Sequence, residues 1–285
     1  MIPAPFEYVR PSTVGEAVQA LAQAGDEGKA LAGGQSLMPL LRLRLAFPEL
    51  LVDLNHVDEL RGVRDEGDTL VVGAMTTHYD VVHDPLIGQY CGLIAKATAT
   101  VADPAVRHRG TFGGSLAHAD PAGDLPAVVV ALDGEMLVRG PGGERSIPSG
   151  EFFQDYLTST IEPGEVLVGV RIPKFPGDWG YDYQKFNRVA QAWAVVGAAA
   201  AVRRANGSVA EARVGLTNMG STPVRARAVE SAVSGAEANR DALREAARHA
   251  ADGTDPPEDL HGQKDYRRHL AQVLTGRALA MAAGV

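Results

Sequence analysis

Two short runs carry the residue types from which an anion site is built. Ala32-Gly33-Gly34-Gln35-Ser36-Leu37 leads into MPLLRLRLA, and Thr111-Phe112-Gly113-Gly114-Ser115 leads into LAHADPAGDLPA. Glycine has no Cβ, so its backbone reaches positive φ easily and lies close to a ligand, and successive N–H groups can converge on a negative charge. Phosphate is the matching ligand. Neither run is GxxxxGK[ST], and neither is a GxGxxG on a strand-to-helix turn, so a nucleotide held here needs another fold. Taken singly, each Gly-Gly is read as a tight turn made for packing; the occurrence of two is what points to a shared pyrophosphate.

Three other polar groupings have plainer readings. His118-Ala119-Asp120 with Asp124 imitates a metal site, but no helical i,i+4 ligand pair accompanies it, and a loop with helix caps accounts for the same residues. His108, between Arg107 and Arg109, can meet a phosphate or a partner's acids, or sit in a solvated, ion-paired loop. Cys91 lies in CGLIAKATA, whose apolar character points to burial rather than reactivity.

The elements that must position the glycine runs belong to a chain of 285 residues, long enough for at least two cores. Hydrophobic residues at 45% and charged residues at 22% are the balance of a soluble globular protein. A formal charge of −8 argues against general binding to nucleic acid or to an anionic membrane, both of which need a positive contact face. The single cysteine excludes an intramolecular disulfide and any four-thiolate zinc or iron–sulfur site within the chain, which suits a reducing cytoplasm. MIPAPFEYVRPST lacks the basic start and apolar core of a signal peptide, and no run approaches the ~18 apolar residues of a membrane span.

FEYVRP reads as a strand, and Thr13-Val14-Gly15-Glu16 as a capping box before a helix whose Val14, Ala17, Val18 and Leu21 share one face. ALA before the first glycine pair and LLVDL after RLAFPE are short buried strands; SLMPLLRLRL between them is a loop and short helix interrupted by Pro39. TLVVGAMT is a further strand, and YDVVHDPLIG opens a helical region reaching Ala99. Beyond TFGGS, read as a loop, come a helix over Asp124 to Leu132 and strands in EMLVRG and GEVLVGVRIP. PKFPGDWG, rich in proline and glycine, marks the domain boundary. C-terminal to it, AWAVVGAAAAVRR and SVAEARVGLTNM form a hairpin around Asn206-Gly207, followed by helices over Val229 to Ala251 and Tyr266 to Met281. This gives a sheet of three or more antiparallel strands with helices on one face.

With these runs in place, the chain resembles the FAD-binding medium subunit of the molybdenum hydroxylases, the carbon monoxide dehydrogenase and xanthine dehydrogenase family. AGGQSL with PLLRLRLA, and TFGGSLAHADPAGDLPA, are similar to its two flavin-binding segments, and the likeness extends through GEVLVGVRIP, YQKFNR and the C-terminal α/β piece. The resemblance implies an α+β fold. A two-part FAD-binding domain of the vanillyl-alcohol-oxidase (PCMH) type would span 1–176, with subdomains of about 1–56 and 57–176. A small α/β flavoprotein C-terminal domain would follow over 177–285.

Carried over position by position, the resemblance implies noncovalent FAD with its pyrophosphate against Ala32, Gly33, Gly34, Gln35, Ser36 and Leu37 and against Thr111, Phe112, Gly113, Gly114 and Ser115. Asp124 would bond toward the ribityl or adenosine part, Leu167 would contact the flavin, and Lys185 would lie near the isoalloxazine carbonyls, where a cation stabilises negative charge on reduced flavin. From the residues alone, these three read as a helix cap, a core strand residue and a solvated surface lysine. Trp193 either covers a ring face or is a buried sheet residue. Gln35 stands where the family often has His, and Ser115 where it often has Asn; both retain hydrogen-bonding ability. No catalytic residue and no metal ligand is assigned to this chain. The molybdenum cofactor would belong to a large subunit and two [2Fe–2S] clusters to a small one, the three forming a heterotrimer that pairs. A stand-alone flavin oxidase and a flavin-free anion-binding module are the competing readings.

Overall fold

The computed structural model describes residues 2–285 and contains three main sheets in sequence. The first unit holds β1 (Glu7–Val9), α1 (Val14–Ala24), β2 (Gly28–Leu31), α2 (Leu37–Leu43) and β3 (Leu50–Asp53). Its strands form a parallel sheet in the order β1-β3-β2. Thr13 caps α1 by accepting from the Glu16 amide, while Glu16 accepts from the Ser12 amide, so the reciprocal bonds are offset by one residue from a strict capping box. Val14, Ala17, Val18 and Leu21 of α1 are all buried against Val52 and Leu54. Pro39 does not interrupt α2: it stands in the first turn, where no intrahelical N–H is required.

The second unit runs β4 (Val63–Glu66), β5 (Thr69–Gly73), α3 (His78–His83), α4 (Pro85–Tyr90), α5 (Gly92–Ala99), α6 (Pro104–Arg107), α7 (Phe112–Ala117) and α8 (Asp124–Ala131). It continues with β6 (Glu135–Gly140), β7 (Gly143–Pro148), α9 (Ser149–Phe152), β8 (Phe153–Asp155), β9 (Thr158–Ser159) and β10 (Val166–Pro173). Its antiparallel sheet has the order β4-β5-β10-β6-β7. The expected helical region after Thr76 is three short helices, because Asp84 caps a new start at Pro85 and the chain turns again at Cys91-Gly92. TFGGS is the start of α7 rather than a loop: Thr111 is its N-cap and accepts from the Gly114 amide.

The third unit holds β11 (Trp179–Phe186), β12 (Val196–Ala205), β13 (Ser208–Thr217), β14 (Val224–Arg225), α10 (Arg227–Val233), α11 (Arg240–Ala246) and α12 (Lys264–Ala283). Asn206 and Gly207, both at positive φ, make the tight β12–β13 turn in a four-stranded antiparallel sheet. The helical stretch expected over Val229 to Ala251 is broken between α10 and α11 and ends in a 3₁₀ turn. Helices cover both faces of this sheet, not one. Ala198 and Ala200 of β12 lie in the core beneath α12, whereas Ala199 and Ala201 lie in the core shared with α5 and α8 of the second unit. The alanine run thus serves two close helix–sheet contacts at once. At Gly215 of β13 a Cβ would come within 3.1 Å of Ala131 Cβ on α8. No helix among the described residues is long and apolar enough to cross a membrane.

Candidate functional site

A cavity of about 730 Å³ opens where the three units meet. Its walls come from the β2–α2 loop, the segment around Gly110 and Thr111, the start of α8, the approach to β10, and β11 with the loop after it. Every sequence-expected site residue except Phe112 lines it: Ala32 through Leu37, Thr111, Gly113, Gly114, Ser115, Asp124, Leu167, Lys185 and Trp193. Phe112 is fully buried in the core of the second unit, because the first residue of α7 packs into the hydrophobic core rather than lining the cavity.

The two glycine runs touch, but they do different work. Gly34 has φ +73, and among the described residues the amides of Gly34, Gln35, Ser36 and Leu37 donate to no group of the chain. They form a polar cradle beside the cavity, open to an anion. The loop carrying them is braced from behind. Asn55 donates to the Ala32 carbonyl at 3.2 Å and to Asp53 at 2.6 Å, and Asp53 also accepts from Tyr8. The second run spends its amides internally: Phe112 donates to Thr76 O, Gly113 to Ala74 O, Gly114 to Thr111 Oγ1 and Ser115 to Thr111 O. Its glycines are needed for close packing. A Cβ on Gly113 would fall 2.8 Å from Ala74 O, and one on Gly114 would fall 2.6 Å from Thr111 Oγ1 and 3.3 Å from Ala32 Cβ. Gly33 likewise lets the first loop lie against Gly110, whose Cα would be 2.8 Å from an added Cβ.

Asp124 and Lys185 form a buried ion pair in the cavity wall, Nζ to Oδ2 at 2.8 Å, with side-chain exposures of 3% and 7%. The other Asp124 oxygen accepts from Tyr183 at 2.7 Å, Tyr183 lies 3.1 Å from Thr217 Oγ1, and Lys185 also donates to Thr100 O. Neither residue-level alternative holds. Gly123, not Asp124, is the N-cap of α8, and Lys185 is not a solvated surface lysine. Burial raises the Asp124 carboxyl above the usual aspartate range, opposed by the Lys185 charge and the hydrogen bonds from Lys185 and Tyr183. Leu167 is buried on β10 at a register shift against β6 and still borders the cavity. Trp193 is not a buried sheet residue. It precedes β12, is 54% exposed, and stands at the cavity with its ring 6.4 Å from that of His118.

The remaining groupings are structural. Cys91 is buried, which pushes its thiol up to about 12, and it donates to Pro173 O. His108 stacks on Tyr79 at 4.1 Å, and Arg107 donates to Val101 O. Among the described residues no three His, Cys, Asp or Glu side chains are placed to hold a metal ion.

Sequence reasoning missed His78, Gln191 and the wall from Glu162 to Val166, all of which line the cavity. Gln191 reaches Asp103 across the seam between units, and His78 is brought in by the pairing of Thr77 with Thr111. Such long-range pairings leave no local pattern in the sequence.

The architecture and cavity agree with comparisons to known proteins. Residues 4–175 match the model described as the FAD binding domain in molybdopterin dehydrogenase, and residues 181–282 match the CO dehydrogenase flavoprotein C-terminal domain. The chain therefore belongs to the FAD-binding-domain family of the molybdopterin dehydrogenases, an oxidoreductase family. It is 40% identical to the carbon monoxide dehydrogenase medium chain of Hydrogenophaga pseudoflava, over 98% of this chain and 97% of that one. It is 38% identical to the 6-hydroxypseudooxynicotine dehydrogenase complex subunit alpha of Paenarthrobacter nicotinovorans, over 99% and 96%. A solved carbon monoxide dehydrogenase from Hydrogenophaga pseudoflava, which lacks the Mo-pyranopterin moiety of its cofactor, superposes with TM-score 0.96 at 42% identity. That alignment covers 100% of this chain and 99% of that one.

The site's own chemistry fits FAD. The undonated amides suit phosphate oxygens, the cavity has the volume of a large cofactor site, and a few buried polar groups converge on otherwise apolar walls.

Proposed function

We propose that this chain is the FAD-carrying electron-transfer subunit of a molybdenum hydroxylase complex. It would receive electrons from [2Fe–2S] clusters of a small partner subunit and deliver them to an external acceptor, while a large subunit oxidises substrate at a molybdenum cofactor. When bound, the flavin supplies a redox centre able to exchange one or two electrons. The observation that carries this reading is that the Gly34–Leu37 amide cradle and the buried Asp124–Lys185 pair line one cavity.

The chain's residues then have distinct tasks. The Gly34–Leu37 amides hold phosphate oxygens without a side-chain charge. Asp124 fixes Lys185 at the wall, where its ammonium stabilises negative charge developing on a neighbouring ring. Leu167 and Trp193 supply apolar surface and exclude water. FAD is noncovalent in this reading, and Ala32–Leu37, Thr111, Gly113–Ser115, Asp124, Leu167, Lys185 and Trp193 are its contacts. We further propose domains of 1–176 and 177–285, a pair of heterotrimers, and a cytoplasmic location. The two relatives act on different compounds by name yet resemble this chain to nearly the same degree. Substrate choice therefore belongs to the large subunit in this proposal.

The purified chain is expected to bind about one FAD that heat or acid releases. Coexpressed with both partners, it is expected to show substrate-dependent bleaching of the flavin spectrum that either partner alone does not support. Rapid substrate-dependent bleaching in the isolated chain would replace this reading with a stand-alone oxidase. Failure to take up FAD at all would leave an anion-binding module.

A further inference from the structure

His78, the first residue of α3, is 3% exposed and lines the cavity where the two glycine runs meet. Its amide donates to Gly110 O at 2.9 Å, which fixes the start of the helix against that segment. The ring is held by the same glycine. A Cβ at position 110 would come within 2.8 Å of His78 Cδ2 and 3.2 Å of Nε2, so only glycine leaves that edge of the imidazole uncovered. The opposite nitrogen, Nδ1, is sealed from solvent and has no hydrogen-bond partner.

Burial and then the neighbouring Arg107 charge lower the imidazole to about 4, so the ring is neutral at physiological pH and carries one proton. A sealed N–H without an acceptor is rarer and costlier than a sealed lone pair without a donor. The proton therefore sits on Nε2, the edge beside Gly110, and that N–H has no acceptor within the described chain. Buried side-chain polar atoms are in the large majority hydrogen-bonded, so an imidazole with neither nitrogen paired inside the protein calls for a partner at the cavity.

We propose that His78 is a neutral hydrogen-bond donor to the bound cofactor, its Nε2–H meeting an oxygen of the sugar–phosphate chain at the junction of the glycine runs. The inference rests on FAD occupying this cavity. It adds a specificity element of a kind the amide cradle lacks: a side-chain donor that contributes no net charge.

The test uses the full chain and FAD. By fluorescence titration, H78L is expected to bind FAD about five- to tenfold more weakly than the parent, the loss of one neutral hydrogen bond. H78Q, whose amide nitrogen can stand in for Nε2, is expected to remain within about twofold. In parallel, nitrogen-15 spectra of histidine-labelled parent protein, with His78 assigned from H78Q, are expected to show the Nε2-protonated tautomer and a shift of that nitrogen when FAD is added. A parent chain that takes up no FAD would overturn the cofactor reading itself. A parent that binds FAD while H78L binds equally well would overturn only the role of His78. An Nε2 signal unmoved by FAD would do the same, and this arm decides the question should H78L fail to fold.

Discussion

Asp124 and Lys185 show how much a single residue's meaning depends on its partner. Both side chains are almost fully enclosed, so each charge is tolerable only because the other is 2.8 Å away. Removing one leaves the other buried and uncompensated, which typically costs about 3–5 kcal/mol. Lys185→Met is therefore expected to lower unfolding stability by about that amount at pH 8, measured by urea denaturation. Adding Asp124→Asn in the same chain should restore part of the loss. The deficit has a defined pH sign. Burial already raises the Asp124 carboxyl, and without Lys185 it rises further above its unfolded value. The contribution of a group raised in this way is present at low pH and lost as pH climbs through its folded value, so the variant should be less impaired at pH 5 than at pH 8. A double variant no more stable than Lys185→Met would show that the pair's charges do not matter to the fold.

At the scale of elements, the glycine runs divide between shape and binding. Gly33 and Gly113 let backbones touch, whereas Gly34 supplies the positive φ at which the loop turns along the cavity, leaving the following amides without an acceptor in the described chain. The expected order of damage is accordingly Gly33→Ala, then Gly34→Ala, then Gly142→Ala, since a side chain at Gly142 meets nothing within 4 Å. Gly34→Ala should cost roughly 1–2 kcal/mol from left-handed backbone strain. Gly33→Ala should cost more, because it forces the β2–α2 loop away from the Arg109–Gly110 segment. Thermal unfolding with parallel measurement of retained FAD would rank them; a Gly33→Ala variant as stable as Gly142→Ala would refute the packing argument. Asn55 is the matching side-chain brace, tying the first loop to the end of β3 through Asp53.

The second and third units share one hydrophobic core, so the whole molecule is expected to unfold as one cooperative body. Tyr183, Ala199 and Ala201 of the third unit lie in the same core as Leu93, Leu125 and Val128 of the second. Lys185 and Trp193, both on the third unit, complete the cavity wall. A fragment ending at residue 176 would uncover the apolar faces of α5 and α8 and lose both side chains. It is expected to aggregate and to retain no FAD, while the full chain unfolds calorimetrically in a single transition. A soluble, folded 1–176 fragment that binds FAD as tightly as the full chain would refute this.

Sequence alone determined the features whose causes are local. The face of α1 follows from the spacing of Val14, Ala17, Val18 and Leu21, the β12–β13 turn from Asn206-Gly207, and the family from the two glycine runs with their flanks. Tertiary structure decided everything that depends on which distant segments meet. It made TFGGS a capped helix start whose amides are already used, because Thr76 and Ala74 arrive from β5 to accept them. It turned Asp124 and Lys185, 61 positions apart, from a helix cap and a surface cation into one buried pair. It also placed His78 in the cavity through the bridge between Thr77 and Thr111. Periodicity reports which face of an element is buried, but not what buries it, and the chemistry of this site is set by that second fact.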